Sequence, residues 1–265
     1  MADIAYHRPE RIADAVAIRA RAADGAFLAG GMTLIPTMKQ GLAAPSDLVD
    51  LSALGLAGVE VRSNTLTIGA MTRHADVAAS AEVRRSIPAL AKLAGGIGDP
   101  QVRNRGAIGG SVANSDPAAD YPAAVLGLGA AIVTDRRSIP ADDYFKDLFT
   151  TALEPGELIR SLDFPIPRRA GYCKFPHPAS RYALVGVFVA EFERGVRVGV
   201  TGAGPCAFRW SAAEQALGAR LEAAALDGAA LDSSRFNADL AASAEFRAHL
   251  VRVMARRALA DLLTA

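Results

Sequence analysis

Two glycine pairs, Gly30-Gly31 and Gly109-Gly110, constrain this chain more than anything else in it. The first follows a short apolar run, Ala26 to Ala29, and precedes a helical one, Leu34 to Gln40, with Pro36 near its start. The second stands inside Gly106 to Asn114, and a third turn occupies residues 95–99. Each segment lies at the end of a strand or the start of a helix, where main-chain amides lack partners and point outward. A residue without Cβ lets a phosphate come within hydrogen-bond distance of the main chain. One Gly-Gly pair is ordinarily a tight turn, whereas two pairs accompanied by Thr33, Ser111 and Asn114 point to an anion. The spacings GxGxxG and GxxxxGK[ST] are absent, which excludes a Rossmann dinucleotide site and a P-loop.

Around these pairs the periodicity changes. Ile12, Val16, Ala20 and Ala23 recur at helical spacing after Pro9, predicting a helix over 9–23 between short strands and hence a small β-α-β-like unit with strands at 26–29 and 47–51. From Gly58 the period becomes two: Val59, Val61, a Ser63-Asn64 turn, Leu66 and Ile68 predict a hairpin. A short helix after Thr72, helices over 87–94 and 121–128, and strands over 130–134 and 157–164 follow, with a long loop between the two helices. Pro165 to Gly171 breaks the pattern and marks a domain boundary. Beyond it, strands over 183–193 and 196–200 are joined through Arg194-Gly195, and Phe246, Leu250, Val253, Met254 and Leu259 predict a helix over 244–263.

Among 265 residues, 29 basic against 28 acidic side chains leave a net charge of +1, which removes the electrostatic footprint of a nucleic-acid partner. The apolar runs 123–133 and 183–190 fall short of the roughly 20 residues that span a bilayer, and residues 1–10 carry charge where a signal peptide needs an apolar core, so a cytoplasmic location is expected. Cys173 and Cys206 form no CxxC motif, and His7, His74, His177 and His249 have no ligand spacing, so no metal site is expected. No nucleophile elbow or HExxH is present, and no catalytic residue is assigned. Asp116 and Asp120 could each accept hydrogen bonds from sugar hydroxyls, while Asp120 could equally cap the helix that begins at Tyr121. Arg103 and Arg105 could contact phosphate or simply be solvated.

The glycine segments carry a resemblance. Ala29-Gly30-Gly31-Met32-Thr33-Leu34-Ile35-Pro36, followed by Leu48-Val49-Asp50-Leu51, is similar to the first flavin-binding signature of the medium, FAD-binding subunits of the molybdenum hydroxylases, the group of carbon monoxide dehydrogenase and xanthine dehydrogenase. Ile97 to Ser111, then Asn114 and Asp116-Pro117-Ala118-Ala119-Asp120-Tyr121-Pro122, resembles the long central motif of that family. Ile68 to His74 and Ser243 to Arg247 add shorter matches.

The resemblance implies an α+β chain: a two-subdomain α/β FAD-binding domain of the PCMH type (residues 1–57 and 58–168), followed by a C-terminal domain of antiparallel sheet plus helices (169–265). It implies FAD as cofactor, with Leu28, Ala29, Gly30, Gly31, Met32, Thr33, Leu34 and Ile35 on one side of the pyrophosphate and Ala107, Ile108, Gly109, Gly110 and Ser111 on the other. Asn114 and Asp120 would hold ribityl or ribose hydroxyls, Ile97 and Ile159 would pack against adenine or ring, and Lys174 or His177 would approach the isoalloxazine. Met32-Thr33 departs from the family's usual polar residue and Ser, and Ala107 from its usual Thr, so side-chain hydrogen bonds are lost there while backbone amides remain.

The function implied is electron transfer. A partner with the molybdenum cofactor (the large subunit) would oxidise substrate, a small subunit would carry [2Fe-2S] clusters, and this chain's FAD would pass electrons to an external acceptor, the whole forming a dimer of heterotrimers. Two rivals stand beside this expectation: a stand-alone FAD-dependent reductase of the same fold, and an assembly subunit without flavin.

Overall fold

The computed structural model describes residues 4–264. The first sheet is wholly parallel, with strand order β1-β3-β2: β1 (Ala5–His7), β2 (Gly25–Leu28) and β3 (Asp47–Asp50). Parallel neighbours need crossovers, supplied by α1 (Ile12–Arg21) and by the stretch holding α2 (Leu34–Lys39). The first helix starts at Ile12 and not at Pro9: Arg11 is extended, with φ −126° and ψ 140°, and its guanidinium clamps Asp14 at 2.9 Å one turn on. Strand β1 has no sequence signal, since its three residues are largely exposed.

The second sheet is antiparallel, in the order β4-β5-β10-β6-β7. Strands β4 (Val59–Arg62) and β5 (Thr65–Gly69) form the expected hairpin, with Ser63 left-handed at φ 53°. Six helices follow: α3 (His74–Ala79), α4 (Ala81–Ser86), α5 (Pro88–Gly95), α6 (Pro100–Arg103), α7 (Ile108–Asn114) and α8 (Tyr121–Leu128). Their starts obey local chemistry: Ser80 Oγ accepts from the Val83 amide, Asp99 Oδ1 accepts from the Val102 amide, and Pro88 and Pro100 occupy first-turn positions where no amide is needed. Strands β6 (Ala131–Thr134) and β7 (Ser138–Pro140), α9 (Ala141–Tyr144), the small hairpin β8 (Phe145–Asp147) and β9 (Thr150–Thr151), and β10 (Ile159–Pro165) complete this part.

The third sheet is antiparallel, β11-β12-β13-β14: β11 (Arg169–Pro176), β12 (Ala183–Phe192), β13 (Gly195–Thr201) and β14 (Phe208–Arg209). Helices α10 (Ser211–Ala219) and α11 (Ala244–Thr264) cover one face, and α8 covers the other. This explains why residues 183–190 read as an unbroken apolar run, as strands buried on both faces do. Phe188 and Ala190 face the core shared with α8, whereas Val185, Val187 and Val189 face α10 and α11.

Two elements differ from the sequence expectation. Residues 108–114 are helix and not loop: the Ser111 amide bonds to the Ala107 carbonyl, and left-handed Ser115, φ 48°, ends the turn. Two glycines in seven residues depress helix propensity enough to hide it. Residues 169–176, at the pattern break, form a full strand, because Arg169 and Lys174 are paired with Glu191 and Asp120 while the backbone pairs with β12.

Helix α8 lies so close to β13 that a Cβ on Gly199 would stand 2.1 Å from the Ala123 carbonyl oxygen. Gly199→Ala should therefore cost about 3 kcal/mol and lower the thermal midpoint by roughly 6–12 °C. Circular dichroism melting checks this, and a midpoint within 2 °C of wild type would refute the close packing.

Candidate functional site

A cavity of about 790 Å³ runs between the first sheet and the helices of the second part, ending at the connection between β11 and β12. That volume is in the range of pockets that bury an extended organic cofactor. Its first wall is Ala29-Gly30-Gly31-Met32-Thr33-Leu34, where the chain leaves β2. Gly31 has φ +72°, and Gly30 presses on the opposite segment so tightly that a Cβ would stand 2.0 Å from the Arg105 carbonyl oxygen. The Ile35 amide closes back onto the Gly31 carbonyl, leaving the amides of Met32, Thr33 and Leu34 without a protein partner.

The opposite wall is Ala107, Gly109, Gly110, Ser111 and Asn114. The amides of Ile108 and Gly109 bond to the Thr72 and Ala70 carbonyls, and that of Ser111 bonds to the Ala107 carbonyl, while the Gly110 amide has no protein partner. A Cβ at Gly110 would meet only Ala29 Cβ, at 3.3 Å. Two sets of unused amides thus flank one open space, the electrostatic arrangement that receives an anion.

Asp120 forms the far end. It makes no side-chain capping bond, so the helix-cap alternative is overturned. Its Oδ1 instead accepts from the Tyr172 hydroxyl at 2.6 Å and faces the Lys174 ammonium at 2.8 Å. Burial pushes its pKa up, outweighing the opposing pull of Lys174 and Tyr172. Lys174 Nζ also donates to the Gly96 carbonyl at 2.9 Å and the Arg181 carbonyl at 3.0 Å. Asp116 lines the cavity with its Oδ1 held by the Ala118 amide, and burial raises its pKa too.

Ile97 and Ile159 line the cavity as apolar surface. Five expected residues do not. Leu28 lines a separate cavity of about 220 Å³ beside Arg73 and Arg105, because β2 turns it to the other side. Ile108 is fully buried in the core, and Ile35 stands 38% exposed on the outer side of α2. The Lys174 ammonium is taken up by its three oxygen partners. His177 organises the 177–182 turn, its Nδ1 accepting from the Ala179 amide at 3.2 Å. Arg103 does not reach the cleft as a phosphate ligand; its Nη1 donates to the Ile97 and Gly98 carbonyls.

Among the lining residues that the sequence reading did not assign to the site are His74, Glu157 and Tyr182. Tyr182, 44% exposed, follows left-handed Arg181 (φ 63°) on the turn that closes the cavity. Glu157 has its carboxylate bound by Arg137 Nε and Nη2 at 3.0 and 2.9 Å, Thr134 Oγ1 at 2.8 Å and the Glu154 amide at 2.7 Å. The Arg137 guanidinium, with these hydrogen bonds, brings its pKa down to about 2. The pair fixes the approach to β10, and with it Leu158 and Ile159 at the cavity wall. Only the Pro155-Gly156 turn hinted at this in the sequence.

A family model described as the FAD binding domain in molybdopterin dehydrogenase matches residues 2–167. The carbon monoxide dehydrogenase medium chain of Afipia carboxidovorans is 35% identical, over 96% of this chain and 94% of that one. The nicotine 6-hydroxylase medium subunit of Paenarthrobacter nicotinovorans is 34% identical, over 97% and 96%. Among solved structures, a chain of the Cu,Mo-CO dehydrogenase in its cyanide-inactivated form superposes with a TM-score of 0.91 at 35% identity, covering 98% of each chain. A chain of quinoline 2-oxidoreductase from Pseudomonas putida 86 gives 0.89 at 25% identity, covering 99% and 97%.

Two charged contacts of the site are testable by stability. The lowered pKa of Glu157 means that its contribution is full above the ordinary value of 4.5 and is lost as pH falls through about 2. Glu157→Gln should cost roughly 2 kcal/mol at pH 7, less than the full shift because Arg137 stands partly in water, and should flatten the acid limb of a urea-unfolding series between pH 5 and 2. An unchanged acid limb would contradict it. Asp120→Asn should cost about 3 kcal/mol by leaving a buried ammonium short of its counter-charge. In a double-mutant cycle with Lys174→Met the two losses should be non-additive by more than about 1 kcal/mol, and strict additivity would dissolve the pair.

Proposed function

The chain belongs to the FAD-binding subunits of the molybdenum-dependent hydroxylases and dehydrogenases, and from that premise we propose that it holds FAD along the glycine-lined cleft and relays electrons from [2Fe-2S] clusters of a small subunit to an external acceptor. The substrate is oxidised on a large subunit carrying the molybdenum cofactor, and the assembly is a dimer of heterotrimers in the cytoplasm. Membership in a multi-subunit oxidoreductase fits the relatives, one of which is the 6-hydroxypseudooxynicotine dehydrogenase complex subunit alpha of Paenarthrobacter nicotinovorans. None of the helices described is long and apolar enough to cross a membrane. Residues 1–57, 58–168 and 169–265 are its three units, the first two flanking the cofactor and the third closing one end.

The observation that carries this reading is the pair of glycine segments that touch at Gly30 and Arg105 and leave amides free on both sides of one cavity. The donor set fits FAD. The amides of Met32, Thr33, Leu34 and Gly110 face where a pyrophosphate would lie, as neutral dipoles that need no cation. Asp120 keeps Oδ2 free of protein partners, so that it can accept from a ribityl or ribose hydroxyl while Oδ1 stays with Tyr172 and Lys174. Asn114, Thr33 and Ser111 supply further polar atoms, and Ile97, Ile159 and Tyr182 supply flat or apolar surface. FAD, when bound, supplies the chemistry of accepting electrons singly and releasing them singly or in pairs. The chain's own work is to bind it, orient it and keep water from its buried flank. Cys173 and Cys206 cannot furnish the four thiolates of a [2Fe-2S] cluster, so the clusters belong to a partner.

Gly110→Val is the informative test. A Cβ there meets only Ala29 Cβ, at 3.3 Å, a tight contact with a side chain and not with backbone, and it stands on the wall of the cavity. Gly31→Val is a poorer choice, because φ +72° and Ile35 Cδ1 at 2.7 Å would strain the fold itself. The wild-type chain should bind one FAD per molecule and absorb in the blue. Gly110→Val should keep its circular dichroism and melting midpoint and lose the flavin. Stoichiometric FAD in the variant would sink the two-segment site.

A further inference from the structure

His74 opens α3, is only 5% exposed and borders the cavity. Among the described residues, neither of its ring nitrogens hydrogen bonds to a protein group. Nδ1 is sealed in the interior without a partner, next to Tyr121, whose ring lies 5.3 Å away and whose hydroxyl is likewise buried and unpartnered. Nε2 lies against Gly106, where a Cβ would come within 2.5 Å of it; unlike Nδ1 it is not sealed in the interior, and both His74 and Gly106 border the cavity. Burial, with Arg103 nearby, holds the imidazole pKa at about 4, so the ring is neutral near pH 7.

Packing alone does not account for a histidine here. Tyr121 and Gly106 need a flat ring of this size, and phenylalanine would meet that need without burying two polar nitrogens. A neutral imidazole carries one N–H and one lone pair. With the proton on Nε2, the donor faces the cavity and only a lone pair is sealed beside Tyr121. The segment it faces is the second glycine segment, one residue before Ala107 and four before the free amide of Gly110. The acceptor that completes this geometry is an oxygen of an anionic group held between the two glycine segments.

We propose that His74 is a direct ligand of the cofactor, donating its Nε2–H to a pyrophosphate oxygen. The inference rests on the FAD reading above and adds to the backbone cradle a side-chain donor that the glycine motifs do not contain. A neutral donor strengthens binding without adding a charge beside the flavin. It also fixes which side of the pyrophosphate meets α3, and so the register of FAD along the cleft.

The test uses the full chain, stripped of flavin and titrated with FAD. Failure of the wild type to bind FAD would overturn the cofactor reading itself. With wild-type binding in hand, His74→Phe keeps the ring and its contacts but donates nothing, and it should raise the FAD dissociation constant roughly tenfold to a hundredfold with unchanged circular dichroism. His74→Gln, which retains an N–H donor, should recover part of the loss. Phosphorus NMR of bound FAD should show one of the two pyrophosphate resonances displaced in His74→Phe, an effect that loosened packing at Gly106 does not produce on one phosphorus alone. Nitrogen NMR of the wild-type chain should show the Nε2–H tautomer and a displaced Nε2 resonance on adding FAD, and this measurement is independent of how either variant folds. A His74→Phe dissociation constant within twofold of wild type, unmoved phosphorus resonances, or a proton on Nδ1 would each overturn the assignment.

Discussion

The contact of Gly30 with the Arg105 carbonyl is the point from which the geometry of the cleft follows. The first segment leaves a parallel sheet and the second enters a helix packed on an antiparallel one, so their meeting brings two sheets of different construction into fixed register. A methyl group at residue 30 would push them apart by more than the tolerance of a hydrogen bond. With that contact closed, the free amides of Met32 to Leu34 and of Gly110 converge on one space. Neither set would bind a phosphate strongly alone, since each is only a short turn with a few dipoles.

The third sheet is tied to this cleft by charge. Lys174 on β11 reaches Asp120 at the start of α8, the Gly96 carbonyl after α5 and the Arg181 carbonyl of the closing turn. One ammonium thus holds three separate stretches of chain at the end of the cavity, and Tyr172, two residues before it on the same strand, adds its hydroxyl to the same carboxylate oxygen. Burying such a pair is costly, and its yield is mainly in position: the carboxylate cannot swing, and its other oxygen stays directed at the cavity. The lysine therefore bears on the end of the cavity through Asp120 and the closing turn.

The sequence announced the elements whose periodicity is local. The 59–69 hairpin, α8, the buried pair β12–β13 and α11 all carry their spacing in consecutive residues, and the glycine segments were visible because their pairs stand beside Thr33, Ser111 and Asn114. What stayed hidden depends on distant partners. Helix α7 was masked by its own glycines, which a close approach to Ala70 requires at Gly109. Strand β11 was masked by polar residues whose partners are distant in sequence, Glu191 on β12 for Arg169 and Asp120 before α8 for Lys174. His74, Glu157 and Tyr182 reach the cavity from segments far apart in sequence, and no spacing rule links a histidine at 74 to a glycine at 106. Three of the expected residues that miss the cavity, Leu28, Ile35 and Ile108, were carried by contiguity: a segment that lines a cleft still turns some of its side chains away.

The charge balance of the cleft shows how a nearly neutral chain can hold a dianionic group. Four acidic residues line the cavity, Asp99, Asp116, Asp120 and Glu157, against one arginine, Arg181. Each acid has a local partner: Asp99 accepts from the Val102 amide, Asp116 from the Ala118 amide, Asp120 faces Lys174, and Glu157 is held by Arg137. What the two glycine segments direct at the cavity is a set of neutral donors, the main-chain amides, beside the single guanidinium of Arg181. Fixed dipoles of this kind pay little reorganisation when an anion arrives. That choice suits a subunit whose cofactor gains and loses electrons in place. A cluster of lysines would tie the affinity for an anion to salt, whereas amide dipoles offer hydrogen bonds without adding charge beside it.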